Sequence, residues 1–236
     1  MSFETHSTFS DYCKAVMERR LPGRDAQAAM APVPDNRPDT SQLPESGVRQ
    51  SSVLVLCSLE QPVSILYTLR NKTLTNHAGQ ISFPGGRQQP GEALRETAMR
   101  ETAEEVGISP NQYEITGSLS PLFVPPSRFV IHPWLAFCRR RPRTIPRPEE
   151  VSDIFWVTAA DLLDSGNIRT RDETFRNNRL RIPYWDVHSE PLWGATAMIT
   201  SELVALYHRF LTQHERGNTD GLAGRCESRP SKNDTP

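Results

Sequence analysis

The chain has 236 residues, of which 36% are hydrophobic, and this length can bury one sizeable core with short extensions. With 27 Lys and Arg residues against 28 Asp and Glu residues, the formal net charge is −1, which excludes a strong basic field that would attract nucleic acid or an anionic membrane. No apolar run approaches the roughly 18–20 residues that a membrane span needs, so we expect neither nucleic acid nor a membrane as a partner.

Features at the two ends and the cysteines predict the compartment. The first residues, MSFETHSTFSDYCK, lack the basic and then apolar pattern of a secretory signal, and the last residues, SKNDTP, are not a peroxisomal SKL-type address. The cysteines are scattered without a CxxC pair, which is typical of reduced thiols rather than of a zinc site or disulfides. We therefore expect a cytoplasmic protein.

The N-terminal part is predicted to be a helical extension. Residues 9–30 have apolar residues at roughly helical spacing, with a break at 21–23. Residues 31–46 are rich in proline and polar residues, which predicts an extended connector. This connector either wraps the core or forms a dimer contact, or it is a loosely packed leader. We assign residues 1–45 to an N-terminal helical extension and linker.

Two strands and a glycine turn follow. Residues 51–58 and 63–70 carry β-branched and apolar side chains, which predicts a hairpin. A short strand is predicted at 80–83, before a turn at 84–86. The glycines of this turn allow the backbone to approach a ligand closely.

Residues 85–108, GGRQQPGEALRETAMRETAEEVGI, predict a helix with an unusual content of carboxylates. At about 100° per residue, Glu101, Glu104 and Glu105 share one side of the helix. Carboxylates at this spacing repel one another, and a hard cation such as Mg²⁺ would offset the repulsion. A C-cap glycine, Gly107, predicts the end of the helix. From the helix alone, a metal site and a solvated acidic face supported by neighbouring arginines are alternatives.

The remaining chain predicts further strands and helices. The predicted strands are at 113–119, 130–139, 154–157 and 179–184, and the predicted helices are at 159–163 and 196–211. A proline-rich loop is expected at 121–126. From about Gln213 the chain has almost no large apolar residues, which predicts a disordered tail over 213–236. This order predicts an α/β fold over 46–212, with a mixed β-sheet between helices in an α/β/α sandwich.

The spacing of residues in the acidic helix resembles a known motif, the Nudix box, G-x5-E-x7-R-E-U-x-E-E-x-G-U, in which U is a bulky aliphatic residue. The matching residues are Gly86, Glu92, Arg100, Glu101, Glu104, Glu105, Gly107 and Ile108. The one departure is Thr102 at the first U position, which we expect to weaken the contact between helix and sheet slightly. The chain resembles a Nudix hydrolase, and the resemblance implies a Nudix fold over roughly 46–212.

Flanking segments resemble the coenzyme A (CoA) pyrophosphatase branch of that superfamily. The segments concerned are LPGR at 21–24, LYTLR at 66–70, HAGQISFPGG at 77–86 and WGATAM at 193–198. Three residues depart from the usual pattern of the branch, namely Tyr67, Asn71 and Thr75. Thr75 stands where an arginine, a natural partner for a phosphate, is usual.

The resemblance implies attack of water on the phosphorus of a nucleoside diphosphate linked to another group, with Mg²⁺ or Mn²⁺ as cofactor. It implies Glu101 and Glu105 as metal ligands, and Glu104 as a further ligand or as the residue that orients the water. Catalytic roles thus fall on Glu104, Glu105 and Arg100, which is expected to pair with a nearby glutamate. Glu92 is expected to stabilise the helix start, with ligation through water as the alternative.

Residues outside the helix are expected to bind substrate. The predicted set is Gly85, Gly86, Arg70, Arg128 and Phe129. Arg128 and Phe129 would hold the adenine or 3′-phosphate end of a CoA-like substrate. His77 and the basic run at 139–143 are further candidates, for which surface positions are the alternatives.

The catalytic base could also come from outside the box. Glu149 and Glu150 are the candidates, and a solvated pair of loop residues is the alternative. The first hypothesis for the whole protein is hydrolysis of CoA or its acyl derivatives to a phosphopantetheine species and adenosine 3′,5′-bisphosphate. The second keeps the chemistry but takes ADP-ribose, NADH or a related substrate, and the third is a non-catalytic nucleotide-binding module. A homodimer is left open.

Overall fold

The computed structural model describes residues 8–17, 19–33, 47–175 and 178–223. The helices are α1 (Phe9–Met17), α2 (Gly23–Ala28), α3 (Leu94–Val106), α4 (Ala159–Leu163) and α5 (Gly194–Ala223). The strands are β1 (Arg49–Ser58), β2 (Ser64–Arg70), β3 (Ile81–Ser82), β4 (Gly85–Arg87), β5 (Glu114–Ser118), β6 (Leu122–Val124), β7 (Phe129–Cys138), β8 (Val151–Thr158), β9 (Ile168–Phe175), β10 (Asn178–Trp185) and β11 (Leu192–Trp193).

The main sheet is mixed, as predicted. Its central order is β3-β2-β1-β7-β5, and β4, β6 and β8 pair with β1, β7 and β2. β1 and β7 run parallel, from Arg49 opposite Phe129 to Ser58 opposite Cys138, and the other pairs are antiparallel. The predicted hairpin is confirmed by the antiparallel pairing of β1 with β2. A second, antiparallel sheet contains β9, β10 and β11.

Helices pack on both faces of the main sheet, against side chains that alternate along β1. Leu54 and Leu56 point to one face and pack in a cluster with α3. Val55 and Cys57 point to the other face, where they pack in a larger cluster that includes residues of α1 and α5. All four side chains are fully buried. Because a strand places successive residues on opposite faces, this pattern confirms the α/β/α sandwich.

The two N-terminal helices share the core of the sheet. The predicted break at 21–23 is confirmed, since α1 ends before it and α2 begins at Gly23. Glu202 of α5 is fully buried and accepts hydrogen bonds from the Gly23 amide and from Nε2 of Gln27, both at 3.1 Å. It also accepts one of 2.7 Å from Oγ of Ser120. One carboxylate thus connects α2, α5 and the segment between β5 and β6.

Some predicted elements differ from the structure. The expected turn at 84–86 contains the start of β4, which pairs with β1 because Gly85 has no Cβ to meet the carbonyl oxygen of Ser52. The predicted loop at 121–126 contains β6. The strand β9 was missed by the sequence patterns, because it carries exposed polar residues such as Asp172 rather than an apolar alternation.

The last helix is longer than predicted. It continues to Ala223, so the predicted disordered tail, from Gln213, begins inside α5. Residues 34–46 of the predicted connector and residues 224–236 of the tail lie outside the described residues. Within the described ranges, no helix combines the length and apolar character that crossing a membrane requires.

Candidate active site

Local interactions fix the two ends of α3. At its start, the carboxylate of Glu96 accepts a hydrogen bond of 3.0 Å from the Ala93 amide, which satisfies a backbone donor. At its end, Gly107 takes the left-handed conformation, φ 71°, as predicted for a C-cap glycine. Thr102 is fully buried, and its hydroxyl donates to the Ala98 carbonyl at 2.7 Å. The departure from the box is therefore accommodated without an unpaired polar group.

Glu105 is the buried carboxylate of the site. Only 2% of the residue is exposed, and its Oε2 accepts a hydrogen bond of 3.1 Å from the Gly85 amide. Nη1 of Arg70 lies 3.8 Å from Oε1 of the same carboxylate. Burial raises the pKa of Glu105 to about 7, although the Gly85 hydrogen bond and the charge of Arg70 oppose this rise. Gly85, Arg70 and Glu105, all predicted site residues, thus lie together.

Glu101 faces the glycine strand one helical turn earlier. A Cβ at Gly86 would collide with the Glu101 carboxylate, so the missing side chain makes room for that group. Burial raises the pKa of Glu101, against the lowering effect of its hydrogen bond from Arg100. The nearby charge of Glu101 also raises the pKa of Glu105, as a smaller contribution than burial. Two carboxylates therefore share the space beside the two glycines.

Arg100 organises the acidic residues of the box. It donates to Glu92 from Nε at 2.7 Å and from Nη2 at 3.1 Å. Its Nη1 lies 2.8 Å from Oε1 of Glu101 and 3.3 Å from Oε2 of Glu104. The hydrogen bonds from Arg100 hold the pKa of Glu92 at about 2. The expected pairing of Arg100 with a glutamate is confirmed, and Glu104, with 44% of its side chain exposed, stands at the open side of the network.

A turn outside the box lies against the end of α3. The amide of Arg147 donates to the Glu105 carbonyl at 3.0 Å, which brings the two candidate bases close to the site. Glu149 points outward, since 74% of its side chain is exposed. Glu150 is less exposed, and its charge contributes to the raised pKa of both Glu101 and Glu105 after the larger effect of burial. Glu150 is thus the candidate whose charge raises the pKa of these two carboxylates.

Arg128 and Phe129 lie at a different part of the sheet. Nε of Arg128 donates to the Gly47 carbonyl at 2.9 Å, and the Arg49 guanidinium lies 4.2 Å from the centre of the Phe129 ring. Along β1, the Phe129 pairing is four residues from the Gly85 pairing, which at about 3.3 Å per residue is about 13 Å. Their assignment to the far end of a long substrate stays a prediction.

The other substrate candidates have local roles. His77 is exposed, and its Nδ1 lies 2.9 Å from Oε1 of Gln80. In the basic run, Arg141 donates to Oγ of Ser64 at 3.1 Å and lies over the ring of Trp156. These contacts agree with the surface alternatives given above. The sequence patterns gave no sign of Arg147, because its contribution is a backbone amide.

The donors of the site fit a hard divalent cation. Glu101 and Glu105 offer carboxylate oxygens, the ligand type that Mg²⁺ and Mn²⁺ prefer, and their mutual repulsion is what a cation would offset. Within the described ranges, no group of three or more histidine, cysteine, aspartate and glutamate side chains is placed to hold a metal ion. The assignment of Glu101, Glu104 and Glu105 to metal stays a prediction.

Comparisons with known proteins agree with this geometry. The family model described as NUDIX domain matches residues 48–177. A probable nudix hydrolase from Schizosaccharomyces pombe is 34% identical over 70% of this chain and 58% of its own length. A mitochondrial coenzyme A diphosphatase from Homo sapiens is 34% identical over 64% of this chain and 66% of its own length. A peroxisomal coenzyme A diphosphatase from Caenorhabditis elegans is 34% identical over 53% of this chain and 56% of its own length. The chain thus spans 56% to 66% of the length of these three relatives.

Proposed function

The chain belongs to the NUDIX domain family, and on that premise we propose that it hydrolyses the pyrophosphate bond of CoA or CoA derivatives. The products would be a phosphopantetheine species and adenosine 3′,5′-bisphosphate. Two relatives named as coenzyme A diphosphatases, and the segments HAGQISFPGG and WGATAM around the box, support this choice of substrate. The cofactor would be Mg²⁺ or Mn²⁺.

The observation that carries the proposal is the placement of Glu105. A carboxylate that is 97% buried is costly unless it is compensated; here the Gly85 amide donates to it and the Arg70 guanidinium lies 3.8 Å away. A structural salt bridge would bring Arg70 into direct contact, whereas the 3.8 Å separation is long for such a pair. A bound cation would stabilise the ionised form of this buried carboxylate, so the arrangement supports a role for Glu105 as a metal ligand.

The residues divide the chemistry among them. A divalent cation held by Glu101 and Glu105 would offset the charge that develops on the diphosphate. The oxygen of a water attacks one phosphorus, the bridging P–O bond breaks, and the leaving phosphate takes the electron pair of that bond. Glu150 would accept the proton of the water, since it lies on the turn whose Arg147 amide donates to the Glu105 carbonyl at 3.0 Å. Glu104 orients the water, and Arg70 contacts the phosphate.

A substrate of the CoA type also accounts for the remote candidates. Arg128 and Phe129, about 13 Å along the sheet from the glycines, would receive the adenine or 3′-phosphate end. A second candidate keeps the chemistry and takes ADP-ribose, NADH or another nucleoside diphosphate derivative. It is favoured by Thr75, which is exposed and replaces a phosphate-binding arginine of the branch pattern. A non-catalytic nucleotide-binding module is the third candidate.

A substrate panel tests the proposal. Purified protein is assayed with CoA, acetyl-CoA, ADP-ribose and NADH, each with Mg²⁺ and with Mn²⁺, and kcat/KM is compared. The proposal expects the highest kcat/KM for CoA or acetyl-CoA. A higher value for ADP-ribose or NADH would support the second candidate, and no turnover of any substrate would support the third.

The proposal also includes the cellular location of the protein and its oligomeric state. The substrate is a small nucleotide, and a cytoplasmic location stays the prediction from the sequence. Two relatives carry names that place them in mitochondria and peroxisomes. Fractionation of cells that express the full chain would decide among these locations, and light scattering of the pure protein would decide whether it forms a homodimer.

A further inference from the structure

Asn71, one of the three departures from the branch pattern, stands directly after Arg70 at the end of β2. At this point β2 pairs with β8, with Arg70 opposite Val151, and the regular register shifts between Leu69 and Arg70. The turn at 147–150 immediately precedes β8. Asn71 therefore lies beside the turn that carries Glu150.

Both polar atoms of the Asn71 side chain and its backbone amide are used. The amide donates to the Glu150 carbonyl at 2.9 Å, and Nδ2 donates to the Pro148 carbonyl at 2.7 Å. Oδ1 accepts from the amide and the hydroxyl of Thr73, both at 3.0 Å. Because Thr73 supplies two donors to the oxygen, the amide group has one orientation, with Nδ2 toward Pro148.

The turn has a second attachment on its other side. The amide of Arg147 donates to the Glu105 carbonyl at 3.0 Å, at the end of α3. Inside the turn, the Glu150 amide donates to the Arg147 carbonyl at 3.0 Å, and Nη1 of Arg147 lies 3.1 Å from Oε1 of Glu150. The turn is thus held between α3 and Asn71. Without the Asn71 side chain, the bond at Pro148 is lost, while the bond from the Asn71 amide to the Glu150 carbonyl remains.

We propose that Asn71 is a positioning residue, whose side chain fixes the 147–150 turn, and with it Glu150, against the end of α3 that carries Glu105. This inference rests on the proposed function, because it needs Glu150 to act on the water or on the cation of that site. It also gives the departure at Asn71 a role that does not involve contact with substrate.

A double-mutant cycle tests whether Asn71 acts through Glu150. The variants are Asn71→Ala, Glu150→Gln and the two combined, assayed with CoA and Mg²⁺ for kcat and KM. The matched control is Asn167→Ala, which removes a similar bond, Nδ2 to the Asp161 carbonyl at 2.9 Å, elsewhere on the surface. We expect Asn71→Ala to lower kcat about 10-fold with little change in KM, since small misplacements are costly in catalysis. In the Glu150→Gln background the same change should have no further effect.

Titration of the wild type and the same variants with Mn²⁺ alone, followed by electron paramagnetic resonance, measures metal affinity without turnover. Glu150→Gln should weaken Mn²⁺ binding by about 3- to 10-fold because it removes a nearby negative charge. Asn71→Ala should weaken it less, and the combined variant should equal Glu150→Gln. If the wild type does not cleave CoA, the proposed function fails, and this titration still decides the role of Asn71.

Three results would overturn the inference. One is an Asn71→Ala variant with the kcat and Mn²⁺ affinity of the control. Another is an equal effect of Asn71→Ala in both backgrounds, which would make it a general structural residue. The third is a Glu150→Gln variant that matches the wild type in both measurements.

Discussion

The amide of Gly85 donates a hydrogen bond of 3.1 Å to Oε2 of Glu105, which joins the short strand β4 to the last turn of α3. Gly85 can lie this close to β1 because it has no Cβ. A Cβ there would collide with the Ser52 carbonyl and lie 2.7 Å from the Cα of Val53. The glycine pair and the acidic helix are therefore one structural unit.

Glu105→Gln should keep the fold and remove the charge of the buried carboxylate. We expect kcat to fall by roughly 10²–10⁴, as expected when a primary electrostatic group is lost. Steady-state kinetics with CoA and Mg²⁺ would measure this. Glu114→Gln, which alters a carboxylate with 71% of its side chain exposed on β5, is the control. Near wild-type kcat for Glu105→Gln would refute the ligand assignment.

Stability without metal should depend on pH through Glu105. Burial raises its pKa from 4.5 to about 7, so folding favours the protonated form. This contribution to the free energy of unfolding is fully present below pH 4.5 and is lost as pH rises through about 7. In denaturant unfolding with a chelator present, the free energy of unfolding of Glu105→Gln, relative to that of the wild type, should therefore rise between about pH 5 and pH 8. The rise should be on the order of 3 kcal/mol. A difference that stays constant over this range would contradict the raised pKa.

Gly86→Ala should damage the site while leaving most of the fold. The added Cβ falls on the Glu101 carboxylate, which must move. We expect kcat to fall by about 10- to 100-fold, because a displacement of about 1 Å is enough for such a loss. Gly166→Ala, whose Cβ would meet Oδ1 of Asp164 at 3.1 Å, is a control remote from the acidic helix. Equal kcat for the two variants would show that the space at Gly86 is not needed.

Much of this unit could be predicted from the sequence, because its residues are close along the chain. The helix, its end at Gly107 and the common side of Glu101 and Glu105 follow from spacing alone. The pairing of Gly85 with β1 could not be predicted, because it depends on the remote carbonyl of Ser52. Nor could the turn at 147–150, which meets Glu105 through a backbone amide.

Arg100→Lys should keep one positive charge but lose the planar fork. Arg100 reaches Glu92, Glu101 and Glu104 at once, with distances of 2.7 Å, 2.8 Å and 3.3 Å. A lysine ammonium cannot serve all three in the same geometry. We expect a loss of about 1–3 kcal/mol in the free energy of unfolding, from bonds to charged groups, and a lower kcat.

Denaturant unfolding and steady-state kinetics would measure the two effects of Arg100→Lys. Arg179→Lys, at an exposed pair with Asp172, is the control and should change neither value. An Arg100→Lys variant with wild-type stability and kcat would show that the fork is not required.

Glu202→Gln should destabilise the protein without touching the site. The carboxylate accepts hydrogen bonds from the amides of Gly23 and Ser120 and from the side chain of Gln27. The side-chain NH₂ group of a glutamine would face some of these N–H donors and could not accept from them. We expect a loss of about 2–4 kcal/mol in the free energy of unfolding, with kcat of the folded protein unchanged. Wild-type stability, measured by denaturant unfolding, would contradict a role of Glu202 in attaching α2.

The same region shows what the sequence could not predict. The patterns predict the helices at 9–30 and 196–211, but neither shows that Glu202 connects α5 to α2 across most of the chain. Long-range contacts of this kind depend on the folded arrangement. The charged strand β9 could not be predicted for a related reason. Its place in the sheet depends on pairing with β10, and its own sequence has no alternation of apolar residues.

The most direct measurement is phosphorus NMR of the products that the wild type and Glu105→Gln form from CoA with Mg²⁺. We predict that the wild type gives phosphopantetheine and adenosine 3′,5′-bisphosphate, and that Glu105→Gln leaves CoA almost intact over the same period. Intact CoA with the wild type, or the same products at the same rate from both proteins, would contradict a CoA-hydrolysing site built on Glu105.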